Sequence, residues 1–203
     1  KCSTIYSGDR PKTAIGSIKR IEEQTDGKQM SISSYRYSGD RTVLSYEEMN
    51  GYCNRAIKLN PNCKLTLILM QVNDIEDYMK NEGSGFVQDL LQSVQDTVRR
   101  HVGHRGIVCP LQPNLMSVVV QDINSDIKLR AFIESLRSRI AWNYRLIDPK
   151  YEISFSFGVA CYPENGMDMR IVHRKLVKAL QMAQEKHANC YIIYKEHLHG
   201  ELS

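Results

Sequence analysis

The 203-residue chain lacks long apolar runs, paired cysteines and any dense block of one charge. Each absence excludes a class of function. The longest apolar stretch, around Leu65–Val72, falls well short of the ~20 residues a membrane-spanning helix needs, so this segment is expected to make no membrane contact. Cys2, Cys53, Cys63, Cys109, Cys161 and Cys190 are scattered, with no CxxC pair and no zinc-like spacing. They read as free thiols of a reducing, cytoplasmic compartment. The 27 basic and 23 acidic residues leave a net charge of +4, far from the balance of a dedicated nucleic-acid binder, and no nucleic-acid partner is expected. With 42% hydrophobic and 25% charged residues the composition is ordinary and globular, which excludes wholesale disorder. The length suffices for one generous domain or two small ones without metal or disulfide staples. The chain starts at Lys1 with no signal peptide and reads as a piece of a longer polypeptide.

Metal-ligating residues are thin as well. His101, His104 and Cys109 make one conceivable cluster and His197 with His199 another, but no carboxylate or second cysteine completes either set, so no metal is expected. The basic run Arg99-Arg100-His101 through His104-Arg105 has no interleaved aromatics. It falls where a helix should end, and cations there sit favourably against the helix dipole.

What is present is a regular alternation of elements. Residues 64–73 are apolar on both faces, as in a central strand covered by helices. Phe86, Leu90, Val94 and Val98 recur at helical spacing until Gly103 and Gly106. Gly106–Leu111 and Leu115–Gln121 are strand-like runs joined by Gln112-Pro113-Asn114, which has hairpin-turn chemistry. Asn124 or Ser125 can cap a helix with Leu129, Phe132, Ile133, Leu136 and Ile140 inward. Tyr151–Ala160 alternates as a strand, with Ile153, Phe155 and Phe157 on one face and Ser154 and Ser156 on the other. Pro163–Gly166 turns into a last helix, and Asn189 precedes a final strand, Cys190–Tyr194. Tyr46–Leu59 reads as a further helix, and polar residues 24–41 as a linker. The expected fold class is α/β: a central mixed sheet with a βαββαβ core, flanked by helices in an α+β sandwich.

The stretch Ile153-Ser-Phe-Ser-Phe-Gly-Val-Ala-Cys-Tyr-Pro-Glu-Asn-Gly166 resembles a signature of the GGDEF family, the diguanylate cyclases, in which a strand S-x-G-V-A precedes x-Y-P-x-x-G. The last helix, Leu176 to Asn189, is similar to that family's A-D-x-A-M-Y-x-A-K-x-x-G-R-N helix. Gly83 falls at the glycine of N-D-x-x-G, and the hairpin at Gln112 where the GGDEF turn belongs. Residues 35–203 are accordingly expected to form a degenerate GGDEF domain. Residues 1–34 resemble the C-terminal strands of a PAS domain and its connecting linker.

That family joins two GTP molecules into cyclic di-GMP, so the resemblance implies carboxylates for Mg²⁺ and cations for the triphosphate. None stands at the matching positions. The metal-binding acid of the first strand is Gln71, and the second acid of that pattern is Asn73. The turn reads Gln112-Pro113-Asn114-Leu115-Met116, with Asn114 at the metal-binding acid, Leu115 at the following glutamate, and Pro113 removing a backbone donor. Glu76 replaces a lysine, Met79 and Gln88 replace the guanine contacts, and Gln184 and Ala188 replace a phosphate-binding lysine and an arginine. The inhibitory R-x-x-D site has Gly103 and Gly106 in place of its charged members. No Mg²⁺ or GTP is expected to bind, and the chain is expected not to be an enzyme. The expected role is a relay or homodimerisation module between a PAS-like sensor upstream and an output domain downstream, EAL being one possibility. The alternative is a receptor that holds GTP or another nucleotide without turnover, or a small uncharged ligand against Met79, Leu115 and Met116.

Overall fold

A computed structural model describes residues 46–121, 123, 125–145, 153–186 and 189–200. The PAS-like segment 1–34 and the boundary at residue 35 lie outside the described residues, as do Asn124 and Ala188. The elements follow in the order α1 (Tyr46–Leu59), β1 (Leu65–Val72), α2 (Ile75–Val102), a short 3₁₀ turn (Gly103–Arg105), β2 (Gly106–Gln112), β3 (Leu115–Gln121), α3 (Asp126–Arg145), β4 (Phe155–Tyr162), α4 (Met169–Glu185), β5 (Cys190–Ile193) and the single turn α5 (Glu196–His199). The α+β expectation holds: one mixed five-stranded sheet has the order β2-β3-β1-β4-β5. Only the β4–β5 pair is parallel.

The uninterrupted apolar run of β1 is explained by its place. It is the middle strand, antiparallel to β3 on one side and β4 on the other, and nearly all of it is buried. Alternate residues serve two cores. Ile68, Met70 and Val72 join Val87, Leu90, Val94 and Val98 of α2 and Phe132, Ile133, Leu136 and Ile140 of α3. Leu65, Leu67 and Leu69 join Met49 and Cys53 of α1 and Val172, Leu176 and Leu180 of α4. Helices therefore cover both sheet faces. β4 starts at Phe155 rather than Tyr151, and its Ser156 and Gly158 are as buried as its phenylalanines, because α4 closes the second face.

Gly158 sets how closely α4 approaches. A Cβ there would lie 2.4 Å from Leu180 N and 2.7 Å from Leu176 O, both main-chain atoms. Gly83 does a different job. With φ 86° and ψ 174° it interrupts the helical path of α2, splitting it into two pieces. The last helix ends at Glu185 and not at Asn189; its start is capped by Asp168, whose carboxylate accepts the Arg170 N–H at 2.8 Å. Ser125 performs the equivalent task at α3, accepting the Lys128 N–H at 3.3 Å. No helix among the described residues is long and apolar enough to cross a membrane.

Candidate functional site

The positions singled out by sequence gather where β1, the β2–β3 turn, the end of α4 and the residues before β4 come together. Gln71 lies in β1 between Leu115 of β3 and Ser156 of β4. By strand alternation its side chain falls on the same face as Leu65, Leu67 and Leu69, the face that α4 covers. There Gln184 donates from Nε2 to Gln71 Oε1 at 2.7 Å. The residue at the resemblance's metal-binding acid is thus bonded to the residue at its phosphate-binding lysine, as one neutral amide pair.

Asn73 is also engaged. Its Nδ2 donates to Ser154 Oγ at 2.8 Å, its Oδ1 accepts from Ser156 Oγ at 3.2 Å, and its N–H donates to Ser154 O at 3.0 Å. Asn114 donates from Nδ2 to Val72 O at 3.1 Å while its own carbonyl accepts the Val72 N–H at 2.8 Å, tying the hairpin turn to the end of β1. Four side-chain amides therefore stitch the mouth of the site together through neutral hydrogen bonds. Between strand and helix, Asp74 takes the left-handed conformation, φ 58°, and its carbonyl accepts the N–H groups of Asp77 and Tyr78, each at 3.1 Å. An Asn-Asp pair after a strand is a turn signal that permits this, since aspartate tolerates the left-handed region.

The other predicted positions separate. Glu76 and Gln88 are exposed on α2, and Pro113 is exposed at the turn beside the half-buried Gln112. Ala188 lies outside the described residues. The small apolar or uncharged ligand of the alternative reading, set against Met79, Leu115 and Met116, finds no common wall. Met116 is 1% exposed in the α2–α3 core, Leu115 packs on the α1–α4 side, and Met79 is 43% exposed. Adjacent strand residues face opposite ways, so Leu115 and Met116 cannot line one pocket.

Gly103 and Gly106 have local backbone tasks. Gly103, at φ 53°, closes α2 by donating its N–H to Arg99 O. Gly106 presses on β3 so closely that a Cβ would fall 2.1 Å from Val119 O, leaving no room for an acidic side chain. Arg105 donates to His101 O at 2.6 Å, and its guanidinium lies 5.3 Å from the Phe132 ring centre.

The conceivable metal sets do not assemble. His101 packs on Phe132 in the α2–α3 layer, whereas Cys109 is buried on the opposite face of the sheet. His199 accepts the Lys195 N–H through Nδ1 at 2.9 Å, and His197 has no partner for a ligand set. Among the described residues no group of three His, Cys, Asp or Glu could hold a metal ion. Burial pushes the Cys53 and Cys109 thiols up to about 12, so both stay protonated and act as core residues.

Two residues that the sequence reading placed otherwise, or passed over, hold the surroundings in place. Asn189 is not on the last helix. Its Oδ1 accepts the Phe155 N–H at 3.3 Å, and its carbonyl accepts from Arg137 at 2.8 Å, so it joins β4, β5 and α3. Asn165 is buried, accepting the Cys161 N–H at 2.7 Å and donating to Tyr194 O at 3.4 Å. A polar residue two positions after a turn proline was the available signal.

With this geometry, the comparison with known families is decisive: the family described as "Diguanylate cyclase, GGDEF domain" matches residues 46–190. The chain belongs to the GGDEF family. Similar solved structures include the active GGEEF domain of a diguanylate cyclase from Vibrio cholerae, at TM-score 0.64 and 15% identity over 74% of this chain and 94% of that one. A diguanylate cyclase/phosphodiesterase from Caldicellulosiruptor saccharolyticus aligns at TM-score 0.62 and 18% identity, over 77% of this chain and 92% of that one. An EAL/GGDEF domain protein from M. capsulatus aligns at TM-score 0.54 and 16% identity, over 71% and 96%. At these identities the likeness speaks to the GGDEF fold. No curated protein matches the sequence.

Proposed function

We propose that this GGDEF domain is catalytically inactive and serves as a signalling module of a cyclic di-GMP pathway protein. Its role is to relay or dimerise between a PAS-like sensor upstream and an output domain downstream. The observation that carries this reading is the Gln184–Gln71 hydrogen bond of 2.7 Å. Joining two GTP molecules requires anionic ligands for metal ions and cations around the triphosphate. The residues present do not fit Mg²⁺ and GTP. Gln71, Asn73 and Asn114 supply no negative charge, and each is already hydrogen-bonded within the protein. Glu76, exposed at the start of α2, would repel a phosphate rather than bind it. Neutral amides bonded to each other hold the fold together and leave the reaction without its charges.

A downstream partner of the EAL type is supported by the naming of one similar structure as an EAL/GGDEF domain protein. The test is direct. The purified chain, incubated with GTP and Mg²⁺ or Mn²⁺, is expected to form no cyclic di-GMP detectable by chromatography. Product above a protein-free blank would refute the proposal. Calorimetric titration with GTP is expected to give no saturable heat; saturation without turnover would instead establish a nucleotide receptor.

A further inference from the structure

On the sheet face opposite the Gln71 site, the groove between α2 and α3 is lined by cations and, among the described residues, by no acid. It comprises two clefts of about 640 and 630 Å³ that share His101 and Ser135. Arg105 and Lys128 stand at the first, and Arg100 and Arg139 at the second; among the described residues no Asp or Glu lines either. All four cations are exposed, and none forms an ion pair among the described residues. Nearby cations are answered: Arg99 pairs with Asp96 at 3.0 Å, Arg137 with Glu134 at 3.1 Å, and Lys195 with Glu164 at 2.7 Å. The groove therefore gathers four exposed cations that no described acid pairs with.

Two further features point to an occupant. His101, at the junction of the clefts, is only 8% exposed, and its Nε2 is buried with no hydrogen-bond partner. A buried polar atom left this way is costly until something bonds to it. Burial, then Arg105 and Arg139, hold its pKa below the ordinary imidazole value, so near neutral pH it is an uncharged hydrogen-bonding group. At the far end stands Trp142, the one tryptophan of the chain, 67% exposed. Exposed tryptophan and arginine are the residue types that anchor protein interfaces.

The dimensions favour a polypeptide. Lys128, Ala131, Ser135, Arg139 and Trp142 follow each other at three- and four-residue steps, forming one continuous face of α3. From 128 to 142 this face runs roughly 21 Å at a rise of about 1.5 Å per residue, longer than a single phosphate group spans. Ala131, Ser135 and Ser138 are small, which leaves its floor open. We propose that the α2–α3 groove docks an acidic segment of a partner polypeptide. Its carboxylates pair with Arg100, Arg105, Lys128 and Arg139, a polar group meets His101 Nε2, and an apolar side chain rests on Trp142. The proposal is independent of whether the Gln71 site turns over GTP.

Trp142 supplies the assay, since all tryptophan emission comes from the groove. The full chain is titrated with a peptide of about 14 residues, helical and built of Glu and Leu, matching the length of the face. A saturable blue shift is expected, weakening with added salt as exposed charge pairs are screened. The Arg100→Glu, Arg139→Glu double variant, shown folded by circular dichroism, is expected to bind about tenfold more weakly or worse. Arg170→Glu, on α4 at the other face, is expected to bind as the unaltered chain does. No shift at millimolar peptide, an equal shift with a Lys-for-Glu peptide, or undiminished binding by the double variant would overturn the proposal. The same shift produced by inorganic phosphate or GTP at equal concentration would also overturn it, making the groove a small-anion site.

Discussion

Adding one methyl group at Gly158 should do more damage than adding one at Gly85. In Gly158→Ala the new Cβ meets Leu180 N at 2.4 Å, Leu176 O at 2.7 Å and Leu180 Cα at 2.8 Å. All three atoms belong to the α4 main chain, so no side chain can rotate away. Restoring ordinary contact at about 3.4 Å requires α4 to lift by close to 1 Å. That movement loosens Leu176, Ala179 and Leu180, all of them buried beneath the helix. Overpacking of this kind costs about 1–3 kcal/mol, and the rigidity of the neighbours places this case near the upper figure. For a domain of this size, 3 kcal/mol corresponds to a melting temperature lower by roughly 6–12 °C. Gly85→Ala is the control. Its Cβ has nothing within 4 Å, it lies inside α2, and alanine there should stabilise by about 0.5–1 kcal/mol. Calorimetric melting of the three proteins decides the matter. A Gly158→Ala midpoint within a degree or two of the unaltered chain would show that α4 does not sit on β4 as described.

Two further outcomes are expected. A double-mutant cycle with Gln71→Ala and Gln184→Ala should show a coupling of about 0.5–1.5 kcal/mol in urea unfolding, the usual worth of a neutral hydrogen bond, and additive losses would contradict the amide pair. Stability should also fall with acid through the histidines. His101, His173 and His199 are all held below the ordinary imidazole value of 6.5, in each case chiefly by burial. The unfolded chain therefore takes up the protons first, so this contribution is complete above about pH 6.5 and is lost as pH drops below it. His173→Gln should flatten the fall in melting temperature across that range, and an unchanged slope would count against the burial of His173.

Much of the architecture was legible because periodicity is a local record of burial. Tyr46–Leu59 and the hairpin at Pro113 and Asn114 appear where their patterns place them. Element edges were less legible where a single side chain decides them. Asp168 and Ser125 cap by one hydrogen bond each, and competing polar residues stand nearby in sequence. The site was half legible. That Gln71, Asn73, Asn114 and Gln184 carry no charge is visible in the letters, once the resemblance says where to look. That Gln71 bonds to Gln184, 113 positions away, is not, because the pairing depends on how α4 returns over β1.

By itself the sequence determined the alternation of helix and strand, the family, and that the residues at the matching positions do not carry the charges its chemistry would need. Only the tertiary structure decided what those neutral residues do instead, and that exposed cations of α2, α3 and the turn between α2 and β2 share one groove. The physical reason is range. Hydrophobic period and residue type act over a few neighbours, whereas a hydrogen bond or a grouping of charges between distant segments exists only after the layers have packed.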